Sequence, residues 1–281
     1  MTVKKLCCEV GISRQGFYKG YRFYQKRRFD ELKVIGLVKR ERLKHPRLGG
    51  RKLYAKLKRL LTFEGVEIGR DRFFDVLGRH NLLIKRRRSY CRTTNSSHGF
   101  RVYKNLVKDK WISRPHEVWV SDLTYIDTIE GFLYLSLITD SYSRKIVGYE
   151  VSDTLESIGC ERALDMALKQ LPFGKQPIHH SDRGIQYCSN GYTNKLRKRE
   201  LPISMTEENH CYENAQAERV NGILKDEYYL GEKFSSKAIA KKACRQAVNL
   251  YNSDRPHLCL DMKTPEMVHL GLKKTNPMEF N

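Results

Sequence analysis

The stretch Glu117-Val118-Trp119-Val120-Ser121-Asp122-Leu123-Thr124-Tyr125-Ile126 carries the decision about the fold. It is rich in β-branched and aromatic residues, which predicts a strand. Asp122 is out of place in it. A carboxylate at mid-strand among apolar neighbours is costly unless it pairs or binds a cation. Downstream, Phe132 to Thr139 and Lys145 to Val151 predict two further strands. Glu130-Gly131 and Ser141-Tyr142-Ser143-Arg144 are the turns between them. Three consecutive strands with short links predict an antiparallel meander.

Further along, the pattern alternates. Leu155 to Leu171 predicts a helix, ended by Pro172 and Gly174; Pro177 to Ser181 predicts a fourth strand. Asn190 to Arg199 is helical, Ile203-Ser204-Met205 is a short fifth strand, and helices follow over Asn214 to Tyr229 and Ser236 to Tyr251. This order predicts an α/β domain, a mixed five-stranded sheet flanked by helices, with the first and fourth strands side by side.

Two more acids join Asp122. Asp182 directly follows the fourth strand, in His180-Ser181-Asp182-Arg183-Gly184. The carboxyl end of a strand is where α/β sheets place their sites. Glu218 lies on a long helix, and helical spacing puts Asn214, Asn221 and Lys225 on its face. That polar, amide-rich face predicts a helix turned toward a ligand. Hard oxygen donors on a sheet and a helix suit Mg²⁺. Two such ions serve phosphodiester transfer, one at the attacking oxygen and one at the leaving oxygen. A Ser-His-Asp triad is set aside, because His180, Ser181 and Asp182 are neighbours on a strand whose side chains alternate in direction.

The amino-terminal part has a different composition. Residues 1–110 hold 31 Lys+Arg against 9 Asp+Glu, whereas residues 111–281 hold 22 against 23. The whole excess of positive charge, +21 for the chain, therefore sits in the first two-fifths. Such a field draws a polyanion, and nucleic acid is the first candidate. Val3 to Glu9, a break at Gly11, and a helix capped by Ser13 through Tyr18 outline a helix-turn-helix. Phe29 to Leu43 predicts a separate helix, ended at His45-Pro46. Arg51 to Leu61 and Arg70 to Arg79 predict two more, around a turn at Gly65. Leu82-Leu83-Ile84 and the basic run Lys85-Arg86-Arg87-Arg88 then predict a strand-like wing. On this reading Arg51, Lys52, Arg70, Arg72, Lys85, Arg86, Arg87 and Arg88 contact DNA.

Composition also excludes other classes. With 40% hydrophobic residues the chain is no disordered polymer. It has no apolar run of membrane-spanning length, and residues 1–10 lack the apolar region of a signal peptide. Its eight cysteines are scattered without a C-x-x-C pair, which predicts free thiols in the cell interior and no zinc site.

Several motifs together identify a family. Trp119-x-x-Asp122-x-Thr124-Tyr125, His180-Ser181-Asp182-Arg183-Gly184-x-Gln186-Tyr187 and Glu213-Asn214-Ala215-x-Ala217-Glu218, with Leu224-Lys225 after it, are the principal ones. The 35 residues between Asp182 and Glu218, Tyr251-Asn252-x-x-Arg255-Pro256-His257, Thr264-Pro265-Glu266 and His45-Pro46-Arg47-x-Gly49 add to them. In these features the chain resembles insertion-sequence DDE transposases, whose catalytic core is related to retroviral integrases and RNase H. It departs from the family pattern at Leu48, Gly50 and Ile185, and leaves the three acids untouched.

The resemblance implies an α/β RNase H-like catalytic core preceded by an all-α helix-turn-helix region. It implies that Asp122, Asp182 and Glu218 bind two Mg²⁺, with Mn²⁺ as a substitute. The enzyme would nick the ends of a mobile element and join the 3′-OH to DNA by transesterification. Lys225, Asn214 and Asn221 would contact DNA near the site. Double-stranded DNA, a second copy on DNA and a first-frame partner protein or fusion are the implied partners, with no membrane. The expected setting is the bacterial cytoplasm, at the nucleoid. The expected organisation is a helical segment over 1–44, a helix-turn-helix module over 45–89, a linker over 90–110, the core over 111–270 and a tail over 271–281. Two alternatives stay open: an RNase H-like nuclease without strand transfer, and a catalytically silent DNA-binding regulator.

Overall fold

The computed structural model of the chain describes residues 2–85, 100–207 and 214–272. The chain divides into two compact units, Met1–Lys85 and Arg86–Asn281.

The first unit is all helical among its described residues. Helix α1 (Val3–Val10) ends where Gly11 turns left-handed, at φ 71°. Helix α2 (Arg14–Lys44) is capped by Ser13, whose Oγ accepts from the Gly16 N–H at 2.9 Å. It runs unbroken over 31 residues, where the sequence predicts two helices. Nothing between Lys19 and Arg28 stops it: the stretch holds no proline, and one interior glycine costs only about 1 kcal/mol. Helices α3 (Gly50–Phe63) and α4 (Arg70–Arg79) follow. The core of the unit is Val34, Val38, Leu48, Leu53, Leu57, Leu61, Phe73 and Leu77, all fully buried. Residues 82–85 form no strand, contrary to the predicted wing. A strand needs a partner, and the neighbouring described elements are helices. Arg86, Arg87 and Arg88 lie outside the described residues.

The second unit is built on one sheet. Its strands are β1 (Val118–Ile126), β2 (Leu133–Asp140), β3 (Ile146–Ser152), β4 (Ile178–Ser181) and β5 (Ile203–Met205), in the spatial order β3-β2-β1-β4-β5. The predicted meander is present, with β1–β2 and β2–β3 antiparallel, while β4 and β5 join parallel. Helices α5 (Ser157–Lys169), α6 (Ile185–Cys188), α7 (Asn190–Lys198), α8 (Ala215–Glu227), α9 (Lys237–Ser253) and α10 (Pro265–His269) complete it.

Period-two alternation divides the sheet into two faces. On one, Ile126, Leu133, Leu135 and Leu137 pack against Val220, Ile223 and Leu224 of α8 and Ala247, Val248 and Tyr251 of α9. On the other, Trp119, Ile138 and Val147 pack against Ala163 and Leu164 of α5 and Tyr192 and Leu196 of α7. Helix α5 lies directly on the backbone of β3. A Cβ added at Gly148 would stand 2.2 Å from the Ala163 carbonyl oxygen, so only glycine fits there.

The C-terminal motif fastens this unit together. Asn252 grips both backbone groups of Ile146, donating to its carbonyl and accepting from its N–H, each at 2.9 Å. Arg255 makes a two-pronged, buried pair with Glu227 at the end of α8, at 2.7 and 2.8 Å. Residues 100–110, predicted as linker, are partly docked: Tyr103 and Val107 pack on the core, and the Leu106 N–H donates to Ser204.

Candidate active site

The parallel ladder between β1 and β4 sets the site. Its last matched pair is Ser121 with Ser181. The next residue on each chain is an aspartate, so Asp122 and Asp182 stand at the same level on neighbouring strands, which run about 4.8 Å apart. Asp122 belongs to the alternation class of Val118 and Val120, which pack against Ala217 of α8. Helix α8 therefore covers the side of the sheet from which Asp122 projects, and it carries Glu218 in its first turn.

Amides of α8 fix this arrangement. Asn221 Nδ2 donates to Asp122 Oδ2 at 2.8 Å, and Asn214 Nδ2 donates to the Ser121 carbonyl at 3.0 Å. Gln216 Nε2 donates to the Ser141 carbonyl at 2.7 Å while its Oε1 accepts from Ser141 Oγ. The other oxygen of Asp122 accepts from the Leu123 N–H at 2.9 Å, and Asp182 Oδ1 accepts from the Gly184 N–H at 3.0 Å.

Electrostatics show why the three acids form one group. The Asp122 carboxyl is pushed up to about 7 by burial and then by the Asp182 charge. The hydrogen bonds from Asn221 and Leu123 only partly oppose this. Glu218 is also raised, by burial and by Asp182. Like charges gathered in a partly dry place are unfavourable without a cation. A donor set of hard carboxylate oxygens, in which the Asp182 charge raises both Asp122 and Glu218, fits a divalent ion such as Mg²⁺.

A second polar layer lies on the opposite face, directly behind β1. His179 Nε2 lies 2.7 Å from both Ser121 Oγ and Tyr192 Oη. Burial, with His180 beside it, lowers His179 to about 3, so its imidazole is neutral at ordinary pH. His180 is matched to Val120 and so lies on the Asp122 face, where its Nδ1 stands 2.9 Å from Ser204 Oγ. These histidines thus tie hydroxyls of the sheet and of α7 together, His179 to Ser121 and Tyr192 and His180 to Ser204. Sequence reasoning passed over Ser121, Gln216, His179 and Tyr192. The signal for Ser121 was present, a hydroxyl on the side of β1 that faces the α5–α7 core.

The other predicted contacts are distributed unevenly. Asn214 and Asn221 are buried and engaged with β1, so this part of the α8 face turns to the sheet and not outward to a ligand. Glu218 is exposed and Lys225 half-buried. In the first unit Arg51, Arg70 and Lys85 are exposed, with Arg70 Nε 2.8 Å from Asp71. Arg72 is half-buried. Lys52 is buried at 8% exposure, where the sequence predicts a DNA contact. It follows Arg51 on the turn of α3 that enters the core, and its stem fills space beside Gly49. Of the cysteines, Cys7, Cys160, Cys188 and Cys244 are buried free thiols.

A mixed five-stranded sheet in this order, flanked by helices, is the architecture of an integrase catalytic core. Comparison with known proteins agrees. The family described as Integrase core domain matches residues 112–211, and a second family of the same description matches residues 199–265. The chain is 33% identical over 264 residues to the insertion element IS600 uncharacterized 31 kDa protein of Shigella sonnei, covering 92% of this chain and 96% of that one. It is 30% identical over 277 residues to the transposase InsF for insertion sequence IS3A of Escherichia coli, covering 94% and 93%. It is 31% identical over 268 residues to the transposase for insertion sequence element IS629 of Shigella sonnei, covering 90% and 86%. The chain belongs to this family of insertion-sequence transposases. No helix of the described residues is long and apolar enough to cross a membrane.

Proposed function

We propose that this chain nicks the ends of its mobile element and joins the freed 3′-OH to target DNA by one-step transesterification. In that step the 3′-oxygen forms a new bond to a target phosphorus, and the target's own 3′-oxygen leaves. No bond to the protein forms. The observation that carries this reading is the register of β1 and β4, which sets Asp122 beside Asp182 with Glu218 on the helix above.

The roles follow from that placement. Asp122, Asp182 and Glu218 would hold two Mg²⁺, or Mn²⁺ in their place, which supply an activated attacking oxygen and a stabilised leaving oxygen. Asn221 and Asn214 hold Asp122 and its strand in position, and Gln216 anchors the start of α8. Lys225 contacts a DNA phosphate near the site. Arg51, Arg70, Arg72, Lys85 and the run Arg86 to Arg88 grip the duplex through its backbone. Residues 1–44, 45–89, 90–110, 111–270 and 271–281 are the working divisions of the chain. The protein acts on double-stranded DNA in the cell interior, at the nucleoid. It assembles there with further copies of itself, and with a first-frame partner or as a fusion to one.

The test is metal-dependent nicking and joining on branched and nicked DNA, comparing the wild type with Glu218→Gln. Joined product from the wild type alone is the expected result. Cleavage without joining would favour a nuclease, and DNA binding without chemistry in either protein would favour a regulator.

A further inference from the structure

Helix α1 buries only Cys7, and the first two-thirds of α2 bury no side chain. Between Cys8 and Phe29 only Phe17 is half-buried, and every other residue is exposed. Helix α2 first buries an apolar side chain at Val34. Yet the turn that joins α1 to α2 is closely made. The Ile12 N–H donates to the Cys7 carbonyl at 3.0 Å, Gly11 supplies the left-handed residue, and Ser13 caps α2.

The chemistry of this arm is one-sided. From Val10 to Phe29 there is no acidic residue, against six cations: Arg14, Lys19, Arg22, Lys26, Arg27 and Arg28. Among the described residues none of the six has an ion-pair partner. Farther along the unit some cations are paired, among them Lys33 with Glu64, Lys56 with Glu41 and Arg79 with Glu31. Helical spacing gathers Arg14, Tyr18 and Arg22, with Gln15, Lys19 and Lys26 beside them, on one face of α2. Tyr18 and Tyr21 are 42% and 53% exposed.

These features select the partner. A second copy laid on this face would set cation against cation, which is unfavourable. Exposed tyrosines interleaved with unpaired cations suit nucleic acid better than a plain solvated surface. A duplex supplies regularly spaced phosphates for the cations and a major groove about 12 Å wide, which admits a helix. We propose that the α1–turn–α2 arm is a second duplex-binding surface, distinct in sequence from residues 45–89. In it Arg14, Arg22 and Lys26 hold phosphates, and Gln15 and Tyr18 meet base edges. The proposal rests on the DNA-acting reading above.

The test uses the full chain and two labelled duplexes, one taken from the DNA flanking its own coding region and one of scrambled sequence. Arg14→Ala/Arg22→Ala/Lys26→Ala should weaken binding at least tenfold. Its plot of log affinity against log salt should be shallower by about 2.7, the loss of three phosphate contacts. The charge-keeping Arg14→Lys/Arg22→Lys should retain the wild-type slope, which separates charge from folding. Gln15→Ala should narrow the preference for the flanking duplex and leave binding to the scrambled one intact. Unchanged affinity and slope in the triple variant would overturn the proposal. So would unchanged DNA binding with an altered sedimentation mass, which would mark a protein interface. A wild type that binds neither duplex would instead overturn the DNA-acting reading itself.

Discussion

The two units handle charge in opposite ways. In residues 1–85 there are 23 Lys+Arg against 8 Asp+Glu, and most of the cations stand on the surface. In the α/β unit the telling charges are few and held by the fold: Asp122 beside Asp182, Arg255 locked to Glu227, Asp140 accepting from the His116 and Ser143 N–H groups. A field that attracts a polyanion needs only sign and exposure, so it tolerates rearrangement. A cluster of acids needs matched strands, a covering helix and donors aimed at particular oxygens. The contrast teaches that substitutions in the first unit should act on DNA affinity, and those in the second on chemistry or on folding.

Asp122→Asn should break the comparison hardest. Joining activity should fall on the order of a thousandfold, the several kcal/mol attributed to metal-ion catalysis. Stability without metal should move the other way. The folded-state pKa of Asp122, about 7, lies above its ordinary value of 3.8. The wild type is therefore relatively stable below pH 4 and loses stability as pH rises through 7. Urea titrations should find the metal-free variant more stable than the wild type at pH 8, by at most about 4 kcal/mol. The difference should vanish below pH 4.

Arg255→Met should show how much of the second unit depends on one buried pair. It strands Glu227 in a dry place, and a loss of about 3–5 kcal/mol is expected in chemical denaturation. Asn221→Ala should leave folding largely intact and lower joining about 10–100-fold, as for other residues that orient metal ligands. The smallest effect belongs to the first unit. Arg51→Ala/Lys85→Ala should reduce the salt dependence of DNA binding by about 1.8 and leave the melting temperature unchanged.

Much of this contrast was legible in the sequence, for a physical reason. Asp122 and Asp182 break strand propensity, so they stood out, and their strands alternate clearly enough to be placed. The division of charge needed only counting. What stayed hidden depends on direction. Spacing put Asn214 and Asn221 near Glu218, but only packing shows that their amides turn into β1. Lys52 looked like any surface lysine of α3 until the core closed around it. The middle of α2 has no apolar stripe, so periodicity left it unassigned although its backbone continues as helix. The motif Tyr251 to His257 proved to be a fastening, a role visible only when Asn252 meets Ile146 and Arg255 meets Glu227.

The central claim is that Asp122, Asp182 and Glu218 together hold the divalent cation. Iron-directed cleavage tests it most directly: Fe²⁺ bound in place of Mg²⁺, with ascorbate and peroxide, cuts the backbone beside its ligands. Cuts are expected close to residues 122, 182 and 218, suppressed by excess Mg²⁺ and lost in Asp182→Asn. Cuts confined to other parts of the chain, or cuts at these residues that persist in Asp182→Asn, would contradict it.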